Sequence, residues 1–380
     1  MRYPVAAPHL SGREALYVNE CLRTNWISSQ GQFIGKFEEG FARAVQRKHA
    51  LATCNGTVAL HLALLGLGVG PGDEVIVPSL TYIATANAVA YCGATPVFAD
   101  SDPKTWCLSA ASVSRLLSPR TKGIIPVHLY GHPCDMDALQ EVADANHLWI
   151  VEDCAEAFGA TFDGQPVGSF GAASMFSFFG NKILTTGEGG MVVTDDDQLA
   201  ARMRLVKGQG MDPSKRYWHP IIGYNYRMTN IAAAIGLGQL EHVDQLMGDR
   251  KRIAGWYRDR LRNLPGLTLP GEAPGASNIY WLYSVLLDDP VLRDPLMAEL
   301  AKAEIETRPL FYPVHVFPMY RQCRTDAGCE VACDLSSRGI NLPTSSYLAE
   351  DDIDVIAAEL RRVLKRLGDW TSHEPIRKAA

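Results

Sequence analysis

The chain has 380 residues, enough for two domains, and is 47% apolar and 21% charged, an ordinary balance for a globular protein. Its 36 basic against 42 acidic side chains argue against a general nucleic-acid binder, which needs a concentrated basic face. No uncharged apolar run reaches membrane-span length, and "MRYPVAAPHLSGREALYVNECL" shows no apolar run with a cleavage site, so neither anchor nor secretory signal is expected.

Apolar strands alternate with helical stretches through the first two-thirds. "TCNGTVALHLAL" opens a helix at Gly56 and Thr57, whose free backbone N–H groups, hydroxyl and dipole suit a phosphate; alone, the pattern is that of an ordinary capped helix. "DEVIVPS" (73–79), "TPVFAD" (95–100), "GIIPVH" (123–128) and "LWIVED" (148–153) are short, rich in branched residues and apolar on both faces, as in a doubly covered parallel sheet. "TYIATANAVAYCG" and "DMDALQEVADANH" are helical patterns between them. This predicts an α/β layer fold with ligands beyond the carboxyl ends of the strands. Tyr82 follows one such end, and Glu152-Asp153 closes another, where a carboxylate needs a partner to offset desolvation.

"SFFGNKILTTGEGG" then places Lys182 in a tight loop between two apolar runs, on a hairpin-like base. An arbitrary lysine of this kind snorkels to solvent; these buried-looking flanks weaken that reading. From about residue 228 the pattern changes. "TNIAAAIGLGQLEHVDQLMGDRKRIAGWYRDRLRNL" reads as one or two long helices, and "YWLYSVLL" as an alternating strand after a Pro/Gly-rich connection. Residues 1–245 are expected to form a large domain and residues 246–380 a smaller α+β domain, with "TSHEPIRKAA" (371–380) loose. Nine cysteines are scattered; Cys323, Cys329 and Cys333 cluster without a zinc spacing, so reduced thiols in a cytoplasmic protein are expected, and no metal.

The polar residues fit one chemistry. Pyridoxal 5'-phosphate needs a lysine for a Schiff base, a carboxylate facing its ring nitrogen, a phosphate cradle and a group against the ring face. Lys182, Asp153, Gly56 with Thr57 and Ser177, and Tyr82 match those needs. Tyr82 also reads as simple aromatic packing.

"EDCAEAFGA", "FSFFGNKILTTGEGGMVVT" and "GYNYRMTNIAAAIGLGQL" resemble the nucleotide-sugar aminotransferases of the DegT/StrS type, and the resemblance runs through nearly the whole chain. It implies the aspartate-aminotransferase-like architecture, pyridoxal-phosphate-dependent transferase fold type I, with a mainly parallel sheet. "PSLTYIATANAV", "PVHLYGHPCDMD" and "GQGMDPSKRYWHPIIGYNYRMTN" resemble the subgroup that forms GDP-perosamine. By position, the resemblance implies that Lys182 is the covalent anchor and proton shuttle and Asp153 the partner of the ring nitrogen. It gives Gly56, Thr57 and Ser177 the phosphate and Tyr82 the ring face. Asn225 would reach the cofactor of a partner subunit, so that a homodimer shares its active sites; dimer and tetramer are both open. Arg227 beside it is a carboxylate or interface candidate.

Glu156 stands where glutamine or histidine is common in the family, near the ring hydroxyl, where a carboxylate repels a phenolate unless one holds a proton. His132 replaces a common glutamine, with no function assigned to it. A histidine at position 182 would mark the related sugar 3-dehydratases; the lysine keeps the transaminase reading. Tyr312 and His315 of "RPLFYPVH", and Lys215 and Arg216, are candidates for the nucleotide sugar, each equally readable as loop packing or solvated charge. The expected reaction moves the amino group of L-glutamate to the 4-keto group of a nucleotide-linked 4-keto-6-deoxy sugar. Alternatives are the same chemistry on a UDP or dTDP sugar or at a 3-keto group, and a cofactor-binding sensor without turnover. A nicotinamide-dependent oxidoreductase ranks lower, for want of a glycine fingerprint.

Overall fold

The computed structural model describes residues 1–10 and 12–371. The tail expected to be loose lies outside the described residues from position 372 onward. Seven strands form the main sheet: β1 (His49–Thr53), β2 (Glu74–Pro78), β3 (Thr95–Ala99), β4 (Thr121–Ile124), β5 (Trp149–Asp153), β6 (Ala173–Ser177) and β7 (Gly190–Thr194). Their order is β1-β7-β6-β5-β4-β2-β3. Every pairing from β3 to β6 is parallel, whereas β7 runs antiparallel to both β6 and β1. Each expected strand has a counterpart, although the one expected over 123–128 runs earlier, over Thr121–Ile124, and β6 and β7 supply the hairpin that carries the lysine loop.

The helices α1 (Arg13–Thr24), α2 (Gln32–Ala44), α3 (Gly56–Gly66) and α4 (Ala84–Tyr91) belong to this unit. Apolar residues nearly all round α3 bury it. Phe37 and Phe41 of α2 pack against Phe178, with ring centroids 5.2 Å away in each case, and Phe41 meets Phe176 at 4.9 Å. Phe178 is the first residue of the lysine loop, so the loop stands on a fixed aromatic base. The one or two long helices expected after residue 228 are two, Asn230–Leu240 and Val243–Leu261.

A second sheet contains β8 (Leu267–Thr268), β9 (Tyr283–Leu287), β10 (Arg308–Pro309) and β11 (Gly339–Leu342), in the order β8-β9-β11-β10, all antiparallel. The expected alternation in "YWLYSVLL" takes an unforeseen form, because β9 is buried on both faces. Tyr283, Val285 and Leu287 enter a second hydrophobic core, while Leu282 and Leu286 join the core of the main sheet. One strand is therefore a wall common to both cores. The division expected at residue 245 falls inside Val243–Leu261, whose Leu246 packs in the first core and whose Ile253, Tyr257 and Leu261 pack in the second. Tyr3 also joins the second core, held by its N–H bond to the Glu304 carbonyl at 3.0 Å.

Truncating Leu286, only 2% exposed, opens a cavity on the main-core side of this wall. Leu286→Ala is expected to cost about 2–5 kcal/mol of stability, read by urea denaturation.

Candidate active site

The carboxyl ends of β1, β2, β5 and β6 meet at a cleft of ≈ 580 Å³. Gly56, Thr57, Tyr82, Asp153, Glu156, Ser177 and Lys182 all line it. Gly56 and Lys182, 126 positions apart, are thus brought together by sheet order.

The start of α3 is built by close approach. The Asn55 side chain caps the helix by accepting the Val58 N–H at 3.0 Å. Among the described residues nothing accepts the N–H groups of Gly56 or Thr57, which face the cleft as the positive end of the helix. A Cβ on Gly56 would lie 2.8 Å from that of Ser177, and one on Gly190 2.5 Å from the Asn55 carbonyl oxygen. Glycine at both positions lets β1, β6 and β7 converge and sets the Ser177 hydroxyl beside the helix start.

The two carboxylates ending β5 point to opposite sides of the sheet, as a strand dictates. Glu152 turns away from the cleft and is fully buried. It accepts the N–H groups of Gly168, Phe170 and Gly171 at 2.7, 2.8 and 3.0 Å, and the Ser174 hydroxyl at 2.9 Å. His128 Nδ1 accepts the Cys134 N–H at 2.9 Å, which leaves Nε2 to donate to Glu152 at 3.1 Å. Burial opposes the Glu152 charge, but these bonds, His128 first, outweigh it and hold the carboxyl down at about 2. His128, Glu152 and Cys154 bring ligand-type atoms within 4.8 Å of one another. Since both ring nitrogens and both carboxylate oxygens are already engaged, the cluster acts as a brace.

Asp153 faces the cleft with much less support. Thr85 Oγ1 donates to Oδ2 at 2.8 Å and the Ala155 N–H to Oδ1 at 3.1 Å. Burial pushes its carboxyl above the usual range, against those bonds and the charge of Lys182. Such a carboxylate is completed by a cation in the cleft. Glu156, 3% exposed, accepts the Tyr130 N–H at 2.8 Å. Burial pushes it up to about 7, against the attraction of Lys182 and the Tyr130 bond, with the Asp153 charge adding to the rise.

The Lys182 side chain is 13% exposed, and its Nζ lies 4.0 Å from Glu156 Oε1. Burial lowers its pKa, against the upward pull of Glu156 and Asp153. The amine makes no hydrogen bond to a described residue and lies over the Trp281 indole, 3.5 Å from its centroid.

Tyr82 is exposed at the rim and its ring contacts Phe311 at 5.8 Å. Asn225 is exposed and outside the lining of this cleft, and its Oδ1 accepts from Arg227 Nε at 3.3 Å. Tyr312 is also exposed and outside the lining, and His315 Nδ1 bonds the buried Ser79 hydroxyl at 2.6 Å. Lys215 and Arg216 lie on the exposed loop with Tyr217 and Trp218. His132 is buried, and its Nε2 accepts the Ala273 N–H at 3.1 Å. From "RPLFYPVH" it is Arg308, Pro309 and Phe311 that enter the cleft, joined by Thr85, Trp281 and Asn341 among others. Sequence reasoning missed these six. Trp281 reads as core in an apolar strand; the one available signal was Arg308, a charge opening a short strand.

The chain matches the model of the DegT/DnrJ/EryC1/StrS aminotransferase family over residues 8–361. It belongs to that family. It is 54% identical to a GDP-perosamine synthase of Caulobacter vibrioides over 366 residues, 96% of this chain and 98% of that one. It is 49% identical to a GDP-perosamine synthase of Escherichia coli O157:H7, covering 95% of this chain and 98% of the relative. A putative sugar aminotransferase from Streptococcus pneumoniae, solved in its PLP form, superposes with a TM-score of 0.91 at 28% identity, covering 96% of this chain and 99% of the other. The aspartate-aminotransferase-like fold type I expected from the sequence is the fold of this aminotransferase. No helix among its described residues is long and apolar enough to cross a membrane.

The Glu152 brace has a measurable signature in the aminotransferase. A carboxyl held down at about 2 lends stability above the ordinary carboxylate pKa, and that stability is lost as pH falls toward 2. Glu152→Gln is expected to cost about 3 kcal/mol at neutral pH and to flatten that acid limb, read by urea denaturation across pH.

Proposed function

We propose that this aminotransferase binds pyridoxal 5'-phosphate in the cleft and transfers the amino group of L-glutamate to the 4-keto carbon of GDP-4-keto-6-deoxymannose, giving GDP-perosamine and 2-oxoglutarate. The observation that carries the reading is the Lys182 amine, held in one cavity with Asp153, Glu156 and the start of α3. The relatives named for perosamine support the sugar and nucleotide.

The residues fit the cofactor on three counts. The N–H groups of Gly56 and Thr57, with the Ser177 hydroxyl, offer donors to a phosphate. Asp153, destabilised by burial, gains from a protonated ring nitrogen. Glu156 answers the repulsion its sequence position raises. Its Oε2 accepts from Tyr130, so the proton that burial retains sits on Oε1, toward Lys182, where it is a donor to a ring oxygen. When bound, the cofactor supplies the carbon that carries the amino group and the ring that takes up the electron pair.

The protein's own part is positioning and proton movement. Asp153 keeps the ring nitrogen charged. Lys182, its pKa lowered by burial, is available as a neutral amine to take the α-proton of glutamate and return one to the sugar carbon. Arg308, at the cleft and bonded through Nε to Glu306 Oε1 at 3.1 Å, offers a planar cation to a substrate carboxylate or phosphate. Tyr82, exposed at the rim, would cover one face of the ring.

Asn225 is exposed and outside its own cleft, which supports its service to the partner's site in a homodimer; the symmetry of that assembly beyond a dimer is left to measurement. The nine free cysteines support a reducing, cytoplasmic setting.

Two experiments test the reading. Glutamate with a panel of GDP-, UDP- and dTDP-linked 3-keto and 4-keto sugars, scored by mass spectrometry, should give amination of the GDP 4-keto sugar first; amination of only a UDP or dTDP sugar overturns the assignment. Lys182→Ala is expected to lose at least 100-fold in turnover, within the range for positioned proton transfer, and Asn225→Ala about 100-fold through loss of a positioning contact to the partner's cofactor. Mixed subunits of the two variants should regain activity, since one site then has both residues. No recovery on mixing sinks the shared site.

A further inference from the structure

Trp281 is an indole with two attachments to the lysine loop. It is 4% exposed and sits just before β9. Its Nε1–H donates to the Asn181 carbonyl at 2.8 Å. Its ring face lies under Lys182 Nζ, 3.5 Å from centroid to nitrogen. It also stacks on Tyr130, with centroids 6.3 Å apart and planes 18° apart, and Tyr130 is the residue whose N–H holds Glu156. The titratable groups facing the amine are Glu156 and Asp153. Neither hydrogen-bonds it, so the π face is its nearest cation-stabilising contact.

We propose that Trp281 is a positioning residue: its indole face is the berth that receives the Lys182 amine whenever that side chain is not covalently engaged, and it favours the protonated form once the amine has taken up a proton. The inference rests on the proposed reading of Lys182 as the covalent residue. A long, flexible side chain released into a cleft of ≈ 580 Å³ otherwise samples many rotamers. The berth confines it near Glu156. The bond to Asn181 fixes the loop to the same ring, so amine and berth keep register. The Asn181 Oδ1 atom is buried with no hydrogen-bond partner among the described residues, so the backbone carbonyl carries this attachment.

The test uses the full-length, cofactor-free protein and reads Lys182 directly. Competitive acylation with acetic anhydride across pH, followed by peptide mass spectrometry, gives the titration midpoint of each lysine. Removing the π face while keeping an apolar side chain, in Trp281→Leu, should lower the Lys182 midpoint by roughly 0.5–1 pH unit. Lys207, bonded to Glu38 at 3.0 Å on another part of the fold, is the internal control and should hold its midpoint. Should Trp281→Leu not fold, replacing the chain's seven tryptophans with mono- and difluorotryptophan drains the ring face without changing its shape. The Lys182 midpoint should then fall stepwise with fluorine number. An unchanged Lys182 midpoint, or an equal shift at Lys207, overturns the berth. Because no sugar or cofactor is present, failure of the substrate panel leaves this measurement intact, and failure here leaves the panel intact.

Discussion

Everything at this site depends on keeping ionisable groups out of water. Asp153, Glu156 and Lys182 occupy one cavity at the end of a doubly covered sheet, and burial is the largest influence on each. The effect has opposite chemical meaning for acid and base. It makes an anion that wants a cation, an acid that keeps its proton near neutrality, and an amine that releases its proton more readily. Water entering the cleft would weaken all three tendencies together. The sheet, the aromatic base under the lysine loop and the Trp281–Tyr130 stack are therefore part of the chemistry.

Glu152 and Asp153 show how narrowly such tuning is drawn. They are neighbours on one strand, with the same functional group and nearly the same burial. Four donors from one loop and its flanking strand, plus His128, keep Glu152 ionised. Two donors leave Asp153 wanting a charge. The number of hydrogen bonds, more than depth, separates a brace from a reactive group.

Much of this was legible in the sequence. The strands read clearly because buried parallel strands are continuous apolar runs, and the polar residues that end them converge once the strands align. Asp153 and Ser177 end strands, Gly56 opens the helix after β1 and Lys182 sits in the loop after β6, and the structure brings all four to one cleft. Trp281, Arg308 and Asn341 were not legible as site residues. They come from the second sheet or its flank, and their approach is set by docking of distant segments, which local pattern marks only through the charge of Arg308 opening a short strand. Glu152 was visible only as half of a dipeptide, since the donors that define it arrive from residues 168–174 through loop geometry. "YWLYSVLL" carried the right period but hid its meaning, because alternation there sorts two interiors from each other rather than inside from outside.

That strand sets a limit on how the enzyme can be remodelled. Side chains on β9 alternate with a period of two, so a shift of one residue exchanges the two faces. Tyr283, Val285 and Leu287 would then be driven into the wrong interior, and Trp281 would leave the lysine loop. A second-sheet unit borrowed from another member of the family can be joined to this sheet only in one phase. Insertions or deletions between the Pro/Gly-rich connection and β9 would accordingly disturb both cores at once, although that connection itself lies at the surface.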